Sequence, residues 1–328
     1  MKKIKTGIVG YGNLGKGVKA ALKENDDLIL EAIFTRRPPE SLQVEGDYFN
    51  VEHVSAAEDY IDKIDVMFLC GGSATDLPQQ GPEFAQMFNT IDSYDNHEQI
   101  PEYFENINEA ALKGDNTSVI SIGWDPGLFS LNRLLGEVVL PTGKGYTFWG
   151  PGVSQGHSDA LRRIEGVKDA VQYTIPIEEA IDKVREGSQP ELKTREKHVR
   201  KCFVVLEDGA DRDKIVKEIK EMPNYFADYD TEVNFVSQKE LAKEHSAMPH
   251  GGFVLRSART GENENNQVIE FSLKLESNPE FTAQVLVAYG RGVYRLNQDG
   301  KYGAQTIYDI PPAYLSPKSG VELRKELL

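Results

Sequence analysis

The chain has 328 residues, 39% hydrophobic and 27% charged, with a formal net charge of −15. That length exceeds one ordinary core and implies two domains. The acidic balance argues against a nucleic-acid partner, whose phosphates reward basic surfaces. No run approaches the roughly 18–20 apolar residues that span a bilayer, so no membrane association is expected. Met1-Lys2-Lys3-Ile4-Lys5 is basic but lacks the apolar region and small-residue cleavage site of a secretion signal. Cys70 and Cys202 are too few and too far apart for a disulfide framework or a zinc site. A cytoplasmic location and no metal are the expectation.

In chain order, residues 4–9 read as a strand, followed by a glycine turn and a helix over 14–24. Strands follow at 28–34, 65–69, 90–93 and 118–122, alternating with helical stretches at 56–63, 82–88 and 101–113. This spacing implies right-handed βαβ units: an α/β, Rossmann-type doubly wound parallel sheet. Near Gly123 the pattern changes. Strand-like segments at 146–149, 167–175, 197–206, 231–236, 252–257 and 267–275 have helices at 178–186 and 210–220 among them. This predicts an α+β domain with a mixed, largely antiparallel sheet and helices on one face. Gly261-Glu262-Asn263-Glu264-Asn265-Asn266 reads as a hairpin loop, and 281–296 as a helix that returns to the first domain. The expected division is a dinucleotide-binding domain over 1–124, a second domain over 125–280, and a C-terminal segment over 281–328.

Gly10-Tyr11-Gly12-Asn13-Leu14-Gly15 fits G-x-G-x-x-G between a strand and a helix. The first glycine permits the tight turn, the second lets backbone approach a pyrophosphate, and the third lets helix and strand pack closely. The second strand selects the cofactor. NAD enzymes usually end it with Asp or Glu, but here it ends Phe34-Thr35-Arg36-Arg37, which suits the 2′-phosphate of NADP. Cys70-Gly71-Gly72-Ser73 follows the third predicted strand, where its glycines allow close approach to the nicotinamide half. Cys70 itself has no identifiable base beside it and reads as a buried strand-end thiol.

Asp92-Ser93-Tyr94-Asp95-Asn96 and Gly123-Trp124-Asp125-Pro126-Gly127 follow the next two predicted strands, so Asp95 and Asp125 are expected at the nicotinamide. Two carboxylates beside a hydride acceptor suit an amine, because positive charge grows on C–N as hydride leaves. A sugar or aldehyde dehydrogenase on the same plan would want a His or Lys base there, and the stretch offers His97. A non-catalytic NADP-sensing regulator would not need the aspartates. Of the six histidines, His157 in Gln155-Gly156-His157-Ser158-Asp159 reads as a better catalytic candidate than His250.

Those strings resemble the meso-diaminopimelate D-dehydrogenase family, and the resemblance covers nearly the whole chain. It is carried by residues 7–15 and 34–37, Gly72-Ser73-Ala74-Thr75-Asp76, and the two aspartate strings. Phe148-Trp149-Gly150-Pro151-Gly152, residues 153–160, Met248-Pro249-His250-Gly251-Gly252 and Ser277-Asn278-Pro279 add to it. The resemblance implies NADP-dependent oxidative deamination of the D-centre of meso-2,6-diaminopimelate, and a homodimer. A broader D-amino acid dehydrogenase is the alternative. By resemblance, Asp95, Asp125, Trp149, Gln155, Gly156, Thr174, Arg200, His250 and Asn278 match substrate contacts. Tyr11, Gly12, Asn13, Leu14, Thr35, Arg36, Arg37, Cys70, Gly71, Gly72, Ser73, Ser93, Tyr94, Asp95, Ile122, Gly123, Trp124, Asp125 and Pro126 match cofactor contacts. The position after Cys70, often bulkier in this family, is Gly71 here, which bears on local pocket size.

Overall fold

Nearly every side chain of β1 (Ile4–Val9) is buried, the pattern of a strand covered on both faces. The computed structural model describes residues 3–46 and 48–328; Met1 and Lys2 of the basic start lie outside the described residues, as does Asp47. The chain forms two compact units, Met1–Leu131 with Pro279–Leu328, and Asn132–Asn278. In the first, β1 leads through the glycine turn to α1 (Asn13–Lys23), then β2 (Leu28–Thr35), β3 (Asn50–His53) and β4 (Val66–Leu69). α2 (Leu77–Met87), β5 (Thr90–Asp92), α3 (Ile100–Lys113), β6 (Thr117–Val119) and the first turn of α4 (Leu128–Val139), which continues into the second unit, complete the run. The helix expected at 56–63 is instead a 3-10 turn, Val54–Tyr60. α2 starts earlier than expected, with Pro78 in its first turn, where a missing N–H costs nothing, and it runs through Pro82.

The second unit continues with β7 (Lys144–Trp149), β8 (Gly152–Val153), α5 (Gln155–Arg162), β9 (Val167–Pro176), α6 (Glu178–Arg185) and α7 (Thr194–Lys197). Then come β10 (His198–Leu206), α8 (Arg212–Glu221), β11 (Asp230–Phe235), α9 (Gln238–Glu244), β12 (His250–Thr260) and β13 (Asn265–Leu275). These strands make two sheets where the sequence suggested one. The four-stranded sheet runs β11-β10-β9-β8 and the three-stranded sheet β13-β12-β7. β10 and β11 are parallel; the other pairs are antiparallel. The break lies at Gly150-Pro151, where the chain leaves β7 of one sheet for β8 of the other; Gly150 has φ +96°, and a Cβ there would lie 2.0 Å from the Thr174 carbonyl oxygen. Helices also lie on both faces of the four-stranded sheet, not one. Leu161, Ile164, Ile215 and Ile219 of α5, α8 and their flanks pack on Ala170, Cys202 and Val204. α9 lies on the other side, where His245 stacks on Phe203 at 3.9 Å.

α10 (Asn278–Gln298), β14 (Gly303–Gln305) and α11 (Gly320–Leu327) close the chain. β14 pairs with β6, so the first unit has a seven-stranded parallel sheet ordered β14-β6-β5-β4-β1-β2-β3. Ile8, Phe68 and Ile91 join a core with Val18 of α1 and Leu286 and Val293 of α10, while Val9, Met67 and Leu69 join one with Phe84 of α2 and Ile107 of α3. Helices thus cover both faces, the doubly wound plan. The fully buried Arg291 of α10 fixes the returning segment, pairing with Asp27 (Nη2 to Oδ1 2.7 Å) and donating to the Leu315 carbonyl at 2.8 Å.

Candidate functional site

At the carboxyl edge of the parallel sheet the three fingerprint glycines have different surroundings. Gly10 has φ +90°; a Cβ on Gly15 would lie 2.1 Å from the Gly10 carbonyl oxygen; a Cβ on Gly12 would meet nothing within 4 Å. The turn is therefore tight at Gly10, closely packed at Gly15 and open at Gly12. The Gly12 N-cap offers no side-chain cap and the first turn of α1 holds no acid, so the helix end suits an anion.

Neighbouring loops are laced together along this edge. Arg37 donates from its backbone N–H to Thr35 Oγ1 (3.1 Å) and from Nη2 to the Tyr11 carbonyl (3.5 Å). Arg36 pairs with Asp76 Oδ1 at 2.8 Å, and Asp76 Oδ2 accepts from Gly72 N–H at 2.9 Å. Asp95 N–H donates to Ser73 Oγ at 3.2 Å. The structure thus brings Tyr11, Thr35, Arg36, Arg37, Gly72, Ser73 and Asp95 into one continuous edge. A Cβ on Gly71 would lie 2.7 Å from Asp76 Cβ and 2.9 Å from Gln80 Oε1. A bulkier residue there requires the start of α2 to move. Burial pushes the Cys70 thiol well above its ordinary range, which leaves it inert as a nucleophile.

Asp95 is exposed and Asp125 half-buried, the latter in a cis Asp125-Pro126 pair after Ile122, Gly123 and Trp124. Their two loops share an anchor that the sequence reading passed over. Asp92, 1% exposed, accepts from Tyr94 N–H (2.9 Å) and Ser121 N–H (3.0 Å) at Oδ1 and from Tyr103 Oη (2.7 Å) at Oδ2. Its carbonyl also accepts from Ile122 N–H at 2.9 Å. Burial raises the Asp92 pKa; the three donors oppose that. Tyr94 stacks on Tyr103 at 4.0 Å, closing water out.

In the second unit, Trp149, Thr174, Arg200 and His250 gather where its two sheets meet. Trp149 N–H donates to His198 Nε2 at 2.8 Å, and its ring stacks on His198 at 5.4 Å. Burial, then Arg200 and Lys197, pushes His198 down to about 3, so it stays neutral and accepts. Thr174 and Arg200 are cross-strand partners and hydrogen bond through Nη1 and Oγ1. Gly152 pairs with Thr174, and its missing Cβ would sit 2.5 Å from His250 Cγ. Gln155 and Gly156 open α5, while Asn278 N–H donates to the Met248 carbonyl at 3.0 Å. His157 is not a free base. Its Nδ1 contacts Ser154 Oγ at 2.7 Å, its ring packs edge-on against Tyr225 and Phe226, and burial followed by Arg200 lowers it to about 4.

Sequence reading missed Asp92, Tyr103, His198 and Tyr229. The last holds its ring centroid 3.8 Å from the Arg200 guanidinium carbon. Alternation along β10, with 200, 202 and 204 inward, was the available signal for Arg200. Among the described residues no group of three or more His, Cys, Asp or Glu could hold a metal, and no helix is long and apolar enough to cross a membrane.

The model of the Diaminopimelic acid dehydrogenase C-terminal domain matches residues 123–277. The meso-diaminopimelate D-dehydrogenase of Ureibacillus thermosphaericus is 64% identical over 328 residues, 100% of both chains. Among solved structures, a sextuple meso-dapdh mutant from Clostridium tetani E88 with DAP is 57% identical, with TM-score 0.95 over 99% of this chain and 100% of that one. An engineered D-amino acid dehydrogenase bound to NADP+ is 43% identical, with TM-score 0.87 over 100% of both chains.

Proposed function

This chain belongs to the meso-diaminopimelate D-dehydrogenase family, and we propose that it carries out the reversible oxidative deamination of the D-centre of meso-2,6-diaminopimelate to L-2-amino-6-oxopimelate and ammonia, with NADP. The observation that carries this reading is Arg200. It is a buried cation, 6% exposed, with no carboxylate paired to it among the described residues, as a site for the substrate's distal carboxylate requires. Thr174, His250, Trp149, Gln155, Gly156 and Asn278 complete the substrate's contacts in the second unit.

In the first unit the α1 N-terminus with Gly10, Gly12, Asn13 and Leu14 holds the pyrophosphate. Thr35, Arg36 and Arg37 read the 2′-phosphate; Gly71–Ser73, Ser93–Asp95 and Ile122–Pro126 hold the nicotinamide half. When bound, the nicotinamide supplies the hydride acceptor. Asp95 and Asp125 orient the amine and stabilise the positive charge that grows on it. They also favour the protonated amine, so a proton must leave before hydride can, to an aspartate or to water. Deamination therefore accelerates from about pH 7 to about pH 10; a flat rate over that range contradicts this order of events.

NADP preference rests on Arg36 and Arg37, each contact contributing about one to two decades. Arg36→Ala with Arg37→Ala lowers the NADP+/NAD+ ratio of kcat/KM accordingly, and an unchanged ratio removes the assignment. A homodimer is supported by exposed apolar side chains on α4 and β13: Leu134 (40%), Leu135 (49%), Val138 (62%), Val139 (64%) and Val268 (37%). A cytoplasmic location is supported by the two unpaired thiols, Cys70 and Cys202. The test of the reaction is NADPH formation from NADP+ with meso-diaminopimelate, LL-diaminopimelate, D-lysine and D-alanine. The meso isomer is expected to react fastest and the LL isomer not at all; equal rates with D-alanine, or reaction of the LL isomer, refute it.

A further inference from the structure

Arg200 Nη1 donates to Thr174 Oγ1, the Tyr229 hydroxyl is a second hydrogen-bond partner of the guanidinium, and Nε is buried with none. Burial lowers its pKa, so the guanidinium needs something that favours its charge. That something is Tyr229, through both its hydroxyl and its aromatic face. The Tyr229 ring centroid lies 3.8 Å from the guanidinium carbon, the separation of a stacked cation–π pair.

Tyr229 is itself anchored. Its N–H donates to the carbonyl of Phe226, which is fully buried in the core under α5 and α8 (2.9 Å). Two residues on, Thr231 pairs in register with Arg200 across β11 and β10. The ring is therefore fixed by the fold on the inward side of the strand that carries the arginine. A guanidinium stacked on a ring has its face covered but its in-plane N–H edge open. That edge is where a carboxylate binds in bidentate fashion. Stacking and carboxylate binding use orthogonal directions, so the first prepares the second.

Other unpartnered polar atoms lie nearby: the amide of Gln172, on the same sheet face as Thr174, the Oγ1 of Thr231, and Nε2 of His157. With His157 and His198 both neutral, Arg200 is the positive charge of this cluster. Buried, unpartnered polar atoms around one cation that no carboxylate pairs among the described residues suit an anion.

We propose that Tyr229 is a positioning and specificity-determining residue, whose ring holds the Arg200 guanidinium in the plane that receives the substrate's distal carboxylate. This rests on the assignment of Arg200 given above, and the experiment separates the two. Steady-state kinetics of the full-length enzyme are compared for Tyr229→Leu, Tyr229→Met, Tyr229→Phe and Arg200→Met. Tyr229→Leu and Tyr229→Met are expected to raise KM for meso-diaminopimelate about ten-fold. In both, kcat and KM for NADP+ stay within about two-fold, and Tyr229→Phe, which keeps the ring face, retains the wild-type KM. Combined with Arg200→Met, Tyr229→Leu adds nothing further, because its target is gone.

An unchanged KM in both aliphatic variants overturns the proposal. So does a parallel loss of kcat and NADP+ binding, which marks a fold support, and so does failure of Tyr229→Phe to rescue. If one aliphatic variant does not fold, the other gives the same reading. If Arg200→Met itself leaves KM for meso-diaminopimelate unchanged, the distal-carboxylate assignment has failed first. If Arg200→Met raises KM and the Tyr229 variants do not, only the role of Tyr229 is lost.

Discussion

The two units treat a buried charge in opposite ways. In the first, the Asp92 carboxylate is surrounded by donors, two backbone N–H groups and the Tyr103 hydroxyl. In the second, Arg200 meets only the Thr174 and Tyr229 side chains and its Nε has no partner, nor do the Gln172 amide, His157 Nε2 and Thr231 Oγ1. Buried polar groups that are satisfied by the chain itself are scaffold; those left unsatisfied await a partner the chain does not contain. Asp92 accordingly fixes the loops of Asp95 and Asp125 before any ligand arrives. On the function proposed above, the Arg200 cluster is complete only with one.

The sharpest way to break this contrast is Asp92→Asn. It replaces one acceptor oxygen with an NH2 donor that faces donors, at a cost of about 3 kcal/mol in thermal or denaturant unfolding. kcat is expected to fall with little change in NADP+ affinity, since the aspartate loops lose their common anchor. A variant of wild-type stability and kcat would mean that Asp92 anchors nothing. The next largest effect is on pH. His198 and His157 have folded pKa values near 3 and 4, below the ordinary 6.5. Between those values the unfolded chain binds more protons, so their contribution is full above about pH 6.5 and is lost as pH falls toward 4. Unfolding followed from pH 7 down to pH 5, above most carboxylate titration, should lose about 2 kcal/mol for each of the two histidines; stability that rises over that range contradicts the neutral assignment.

Smaller changes refine the comparison. Tyr103→Phe removes one of the three donors to Asp92 and should cost about 1 kcal/mol, leaving the two backbone donors in place. Gln172→Leu removes both unpaired amide atoms and should leave stability within about 0.5 kcal/mol of wild type or raise it. The same substitution in a saturated site would destabilise, so a large loss at Gln172 shows that its amide is already paired.

What could be read from the sequence follows the range of the interactions. The glycine turn and the Thr35-Arg36-Arg37 strand end are local chemistry, and the structure gives Gly10 a conformational reason and Gly15 a steric one. The five main strands of the parallel sheet were equally legible because they are buried apolar runs bounded by turns. β3 and β14, of four and three residues, were not; neighbouring strands hold them in place, not their own pattern. The split of the second unit into two sheets was hidden for the same reason, since it depends on how Gly150 meets the Thr174 carbonyl. Arg200 lies in a run of charges, Arg195-Glu196-Lys197-His198-Val199-Arg200-Lys201. Its neighbours Arg195 and Lys201 do make exposed ion pairs, whereas alternation along β10 turns Arg200 inward. His198, Tyr229 and Asp92 act on residues distant in sequence or on backbone groups, which no motif records.

The contrast between a finished and an unfinished site is tested most directly by calorimetric titration of meso-diaminopimelate into the NADPH-bound enzyme, comparing wild type with Arg200→Met and Asp125→Asn. Loss of at least about ten-fold in affinity for Arg200→Met is expected, with Asp125→Asn still binding the substrate although it turns over slowly. Binding to Arg200→Met as tight as to wild type would contradict it.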